Sequence, residues 1–181
     1  DEVLIDWEDS NRKGIIKFAT GSGKTFTALF ALKKHLEDNQ VALILVPSKL
    51  LQAQWKIELL KVIPEAREGL MLVGGKGKNW KKNLSLHTRP SKDRNPKIVI
   101  AVNHSAYKPD FLKSLFQGSH LMIIADEVHR LGSREYSKIF SIDSGSRLAL
   151  SATPERYGDP EGTQRINDYF GPILIPEFSL Y

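Results

Sequence analysis

The stretch Ala19-Thr20-Gly21-Ser22-Gly23-Lys24-Thr25 combines residue types suited to holding a polyphosphate. Gly21 and Gly23 let the backbone turn tightly, so that successive N–H groups from Thr20 through Ser22 to Thr25 converge on phosphate oxygens. Lys24 brings positive charge to the outer phosphates, and the Thr25 hydroxyl is placed to ligate Mg²⁺. The general pattern G-x-x-x-x-G-K-[ST] would put glycine where this chain has Phe18. A second cluster, Asp126-Glu127-Val128-His129, follows the apolar run Leu121-Met122-Ile123-Ile124-Ala125. Asp126 is suited to hold Mg²⁺ opposite Thr25, and Glu127 to polarise an attacking water. Taken alone, the two carboxylates would serve equally well at an acidic helix start. Ser151-Ala152-Thr153 ends a third apolar-rich run, Arg147-Leu148-Ala149-Leu150, and by itself is only a strand end before Pro154.

Groups so far apart in the chain need a scaffold that gathers them. The apolar runs predict strands near 14–19, 41–46, 70–73, 97–102, 120–125 and 146–151. Helical spacing predicts helices near 24–38, 48–61, 107–117, 133–140 and 162–169. The alternation implies an α/β fold, with a largely parallel sheet and helices on both faces. Such sheets bind ligands outside the carboxyl ends of their strands, so the motif loops share one rim if their strands are neighbours. The end of the chain, from Ile173 to Tyr181, reads as an extended segment leaving this lobe.

Composition agrees with a single domain over 1–181. A chain of 181 residues with 41% hydrophobic and 26% charged residues has ordinary globular proportions. No apolar run approaches the ~20 residues that span a bilayer, so no membrane partner is expected. The first residues are acidic, unlike a secretory signal, and the chain starts without methionine, as an excised fragment would. Without cysteine it has neither disulfides nor thiolate metal sites. Its five histidines, His35, His87, His104, His120 and His129, lack paired ligand spacing.

Taken in order, the motifs carry a family resemblance. Ala-Thr-Gly-Ser-Gly-Lys-Thr, then Leu45-Val46-Pro47-Ser48-Lys49-Leu50-Leu51 before Gln54-Trp55, then Asp-Glu-Val-His, then Ser-Ala-Thr resemble motifs I, Ia, II and III of superfamily 2 helicases. The flavour is similar to the excision-repair (XPB-like) and restriction-subunit translocases. Asp126 to Gly132, Ser151 to Gly162 and Asp168-Tyr169-Phe170-Gly171 extend the likeness along nearly the whole chain.

The resemblance implies a RecA-like P-loop NTPase lobe that uses ATP and Mg²⁺. It makes Lys24, Asp126 and Glu127 catalytic, and His129, Ser151 and Thr153 the relay between nucleotide and nucleic acid. It also points to Pro47, Ser48, Lys49 and Gln54 as track contacts, with Asn103 and Ser105 where relatives carry a threonine-containing motif. Ser48 is equally a good N-cap, and Leu51, Trp55, Leu59 and Leu60 have core spacing. The partners implied are nucleic acid, DNA favoured over RNA, and a second RecA-like lobe with arginine fingers. No glutamine precedes Gln40, so no residue is assigned to reading adenine. A cytoplasmic or nucleoid-associated protein of bacterial or phage origin is expected.

Charge adds a further candidate. In the basic loop 75–97, Lys76, Lys78, Lys81, Lys82, Arg89, Lys92, Arg94 and Lys97 face one acid, Asp93. Lys78, Lys81 and Lys82 could contact phosphates, or the loop could be a solvated insertion. Trp80 could stack on a base or pin the loop to the body. Two other functions compete with a motor lobe. A nucleotide-switched nucleic-acid-binding module without efficient hydrolysis would not need Glu127. A small-molecule P-loop kinase would need a lid and an acceptor pocket, neither of which is visible.

Overall fold

Val41 to Val46 and Leu121 to Ala125 have no polar interruption, and such strands are stable only when both sheet faces are covered. The computed structural model describes residues 2–19, 21–75, 79–90 and 95–175. Its elements begin with α1 (Glu2–Asp9), β1 (Lys13–Lys17), α2 (Lys24–Glu37), β2 (Val41–Val46), α3 (Lys49–Val62) and β3 (Leu70–Val73). They continue with α4 (Trp80–His87), β4 (Lys97–Val102), α5 (Asn103–Ala106), α6 (Pro109–Ser114), β5 (Gly118–Ala125), β6 (Ser144–Ser151) and α7 (Pro160–Phe170). The strands pair in parallel in the order β1-β6-β5-β2-β4-β3.

The two-residue period of the strands divides the core. Ala42, Ile44 and Val46 of β2 meet Leu29, Leu32, Trp55 and Leu59 from α2 and α3, with Val3 and Trp7 of α1. Val41, Leu43 and Leu45 face Leu84, Phe111, Ile166 and Phe170 from α4, α6 and α7. At roughly 1.5–3 kcal/mol for each large apolar side chain buried, these two layers supply the main drive for folding. No helix among the described residues is long and apolar enough to cross a membrane.

Several expectations need correction. The expected helix 107–117 is only the short α6, preceded by α5, because Pro109 cannot donate to a preceding turn and pushes Lys108 to an extended ψ of 143°. Residues 136–141 form a 3-10 turn in place of an α-helix. Helices α1 and α4 were not anticipated, since each is short and buries few residues: Val3 and Trp7 of the four apolar residues in α1, and Leu84 in α4. The final segment does not leave the lobe at once. Ile15 donates to Pro172 O at 2.8 Å and Leu174 donates to Ile15 O at 2.8 Å, so residues 172–174 extend the sheet beyond β1. Gly14 leaves room there for the Leu174 side chain, which a Cβ would push aside.

His35, on α2, is 5% exposed, with Nε2 2.9 Å from Val41 O. Burial lowers its pKa, against the smaller opposing effect of the Val41 carbonyl. The folded state therefore keeps His35 neutral where the unfolded chain takes up a proton. Its contribution to stability is complete above the ordinary histidine value of about 6.5 and is lost as pH falls toward the depressed folded value. His87 and His129 shift in the same direction. The melting temperature should fall between pH 7.5 and 5.5, and His35→Gln should flatten part of that slope. Melting curves across this range with identical slopes for parent and variant would contradict the assignment.

Candidate nucleotide and nucleic-acid site

Strand β1 stops at Lys17, whose register partner on β6 is Ser151. The chain then passes through Phe18, 5% exposed, into the glycine loop. Gly21 and Gly23 adopt φ values of +80° and +89°, left-handed backbone that a side chain would strain. Gly23 caps α2 without any side-chain hydrogen bond. The first-turn N–H groups of this 14-residue helix thus lack a side-chain cap and suit an anion. The Lys24 ammonium donates to the Phe18 carbonyl at 2.7 Å and the Ala19 carbonyl at 3.3 Å, which holds it over the loop. Thr20 lies outside the described residues.

Asp126 leaves the end of β5, and its N–H is held by Leu45 O at 2.9 Å. Its Oδ1 accepts the Glu127 N–H at 2.9 Å and its Oδ2 accepts the Trp55 indole N–H at 2.8 Å. Glu127 sits at φ 47°, ψ 51°, a left-handed conformation that costs a non-glycine residue roughly 1–2 kcal/mol. That turn brings its Oε2 to 3.4 Å from His129 Nδ1.

His129 Nδ1 also lies 3.1 Å from Ser151 Oγ, which accepts the Thr153 N–H at 3.1 Å. Burial lowers the His129 pKa; Glu127 opposes this, while Arg130 and Arg156 add to it. Neutral His129 can accept the Ser151 hydroxyl proton at Nδ1. Arg156 fastens the turn, donating to His129 O at 2.6 Å and to Asp159 Oδ2 at 2.6 Å. His129, Thr153, Glu155, Arg156 and Tyr157 line one groove.

The strands carrying the phosphate loop and Asp126 are not neighbours, since β6 runs between them. Parallel pairing nevertheless puts all three carboxyl ends on one rim, and it places Ser151 between the loop and Asp126. Along the same rim, β2 and β4 end in the expected track residues. Ser48 Oγ caps α3 by accepting from Leu51 N at 3.2 Å. Lys49 Nζ is turned onto Gln52 Oε1 and the Gly74 carbonyl, at 2.9 and 3.4 Å. Pro47 and Ser105 are half-buried and Gln54 is exposed.

Asn103 is 1% exposed, and among the described residues its side-chain amide has no hydrogen-bond partner. The basic segment is not simply a loop, because α4 lies within it. Trp80 packs on Phe111, with ring centroids 5.7 Å apart, and Lys81 pairs with Asp110. Lys82 is exposed, and Lys78 lies outside the described residues.

Trp55, Gln52 and Arg156 were not anticipated at the site. A tryptophan at a core position of α3 carries an N–H that must find an acceptor when buried, and that was the available signal for Trp55. Gln52 donates to Val73 O and Ile100 O at 3.1 and 2.8 Å, tying α3 to the ends of β3 and β4. Among the described residues no three His, Cys, Asp or Glu side chains converge as a metal cage. Mg²⁺ needs no such cage, since it binds through one or two protein oxygens plus phosphates and water. The Thr25 hydroxyl and Asp126 carboxylate fit that chemistry.

A phosphate loop, an acidic strand end and a parallel sheet in this order define a RecA-like nucleotide-binding lobe. Residues 1–156 match the family described as Type III restriction enzyme, res subunit, and the chain belongs to that family. Its fold and its relatives are those of the N-terminal RecA-like lobe of superfamily 2 helicases, and it is a helicase-family ATPase motor domain.

Among curated relatives, protein QP509L of African swine fever virus, named by inference as an ATP-dependent RNA helicase, is 32% identical over 148 residues, covering 81% of this chain and 26% of its own length. The Haloarcula marismortui protein Rad25, named by inference as a DNA 3'-5' helicase, is 27% identical over 172 residues, covering 93% of this chain and 24% of its own. The chain therefore spans about a quarter of the length of these relatives.

Among solved structures, the Pyrococcus furiosus Hef helicase domain aligns with a TM-score of 0.70 at 19% identity, over 98% of this chain and 37% of that one. The Type ISP restriction-modification enzyme LlaGI, solved with a DNA substrate mimic, aligns at 0.66 and 22% identity, over 95% of this chain and 18% of that one. At these identities the structural likeness concerns the fold.

The left-handed Glu127 gives a test of stored strain. Glu127→Gly should raise stability by up to about 1 kcal/mol in thermal or urea melts, since glycine keeps the backbone N–H that Asp126 accepts. A destabilised Glu127→Gly would show that the carboxylate itself holds the turn together.

Proposed function

We propose that this lobe is the nucleotide-binding half of a nucleic-acid-dependent ATPase that acts on DNA, as a helicase or duplex translocase. The carrying observation is the convergence of two strand ends: His129 Nδ1 meets Ser151 Oγ at 3.1 Å, Ser151 Oγ accepts the Thr153 N–H, and Glu127 Oε2 stands beside the same ring at 3.4 Å. Gly21, Ser22, Gly23 and Lys24 would bind the ATP phosphates, with Thr20 completing the loop. Thr25 and Asp126 would hold Mg²⁺, which supplies charge neutralisation at the β- and γ-phosphates. Glu127 would orient the attacking water. His129, neutral and bonded to Ser151, would pass the state of the phosphate site along the rim toward Pro47, Ser48, Lys49, Gln54 and Ser105. DNA is favoured because one relative is named as a DNA helicase and one structural neighbour was solved with a DNA mimic. The viral relative named for RNA makes RNA the competing track.

Calorimetry with Mg²⁺–ADP tests the phosphate site: the parent should bind, and Lys24→Ala should not, with circular dichroism unchanged. In a two-lobed form of the protein, Glu127→Gln should still bind Mg²⁺–ATP but lose about 10²–10⁴ in turnover. Turnover at the parental rate would remove Glu127 from the water-orienting role. Equal binding by Lys24→Ala would remove the phosphate site itself.

We also propose that a second RecA-like lobe completes the site with arginine. Arg156 is committed to Asp159 and the His129 carbonyl, which supports a need for arginine from elsewhere. An arginine finger contributes about 10³–10⁵ in rate, so the 181-residue chain alone should hydrolyse ATP poorly even with DNA present. Fusion to the second lobe should raise turnover and make it depend on nucleic acid. Robust, DNA-stimulated hydrolysis by the chain alone would refute this.

A further inference from the structure

Trp55 lies in the second turn of α3, 2% exposed, within the core layer shared with Leu59, Val46 and Ile124. Its indole N–H is the one polar group of the side chain, and burying it without a partner would be costly. The partner lies 71 positions away: Asp126 Oδ2, at 2.8 Å. The other carboxylate oxygen takes the Glu127 N–H at 2.9 Å. Two N–H donors, one from its own turn and one from a helix packed against the sheet, therefore fix both the tilt and the rotation of this carboxylate. Each oxygen keeps a lone pair for a metal ion or its water. A phenylalanine would fill most of the same space, so the core alone does not call for the indole nitrogen.

We propose that Trp55 is a positioning residue for the metal-binding carboxylate, holding Asp126 in the orientation that receives Mg²⁺ with bound nucleotide. This rests on the assignment of Asp126 to Mg²⁺ given above. Partners that orient a metal-binding carboxylate contribute about 10–100-fold in metal affinity.

The test uses the 181-residue chain. ADP affinity is measured by calorimetry with and without Mg²⁺, and the ratio of the two is the Mg²⁺ gain. Trp55→Phe should cut that gain about tenfold or more. Leu59→Val, a core change on the same helix, should lower the melting temperature and keep the gain. A Trp55→Phe protein with the full parental gain, or a Leu59→Val protein that loses it equally, overturns the proposal.

Should Trp55→Phe fail to fold, nuclear magnetic resonance of the parent decides. The chain has three tryptophans, and Asp126→Asn should move the Trp55 indole N–H resonance, leaving those of Trp7 and Trp80 in place. An unmoved Trp55 resonance overturns the proposal. A parent with no Mg²⁺ gain at all would instead sink the nucleotide assignment on which the proposal stands.

Discussion

Parallel pairing through buried strands governs the molecule. Each strand must be followed by a crossover that returns the chain to the opposite end of the sheet, so every carboxyl end points the same way. The crossovers also cover both faces, and this lets runs such as Val41 to Val46 lose all contact with water. Polar groups therefore have one place to gather, the rim where β1, β6, β5, β2, β4 and β3 end in that order. A slip of one residue in any of these strands would exchange its two buried sets, Ala42, Ile44 and Val46 for Val41, Leu43 and Leu45. The loops at the rim are held in register by the core beneath them.

On that rim the sheet order divides the work. The phosphate loop, Ser151 and Asp126 follow the ends of β1, β6 and β5. The residues expected to meet nucleic acid follow β2 and β4. Helix α3 belongs to both halves: it begins at the Ser48 cap and reaches Asp126 about two turns later through Trp55. Gln52, between them, fastens the same helix to the ends of β3 and β4. Helix, strand ends and acidic motif are thus joined by hydrogen bonds that the core shields from competing water.

Strain and burial act together at the acidic turn. Glu127 is held in left-handed backbone, and the supports are visible: Asp126 accepts its N–H, and Arg156 grips the His129 carbonyl. Burial lowers the pKa of His129 more than Glu127 raises it. A charged imidazolium would pair with Glu127 and engage the carboxylate that the motor reading leaves for water. The neutral ring takes the Ser151 hydroxyl instead, which keeps Glu127 available. Distance from solvent thus sets the protonation that the proposed chemistry needs.

The local chemistry was legible in the chain itself. Gly21 and Gly23 announce left-handed backbone, the apolar run before Asp126 announces a buried strand, and Ser48 announces a helix cap, because each depends on neighbours within a few residues. The six strands and the family follow from the same short-range patterns. Short elements that bury few residues, α1 and α4, escaped that reading, as did the late helix start that Pro109 imposes. What tertiary structure alone decided is who meets whom. It placed β6 between β1 and β5, turned Asn103 inward, returned Leu174 to the edge of β1, occupied Lys81 with Asp110 and brought the Trp55 indole to Asp126. None of these pairings has a short-range signature. Each is set by the order in which crossovers stack to bury both faces of one sheet, a property of the whole chain.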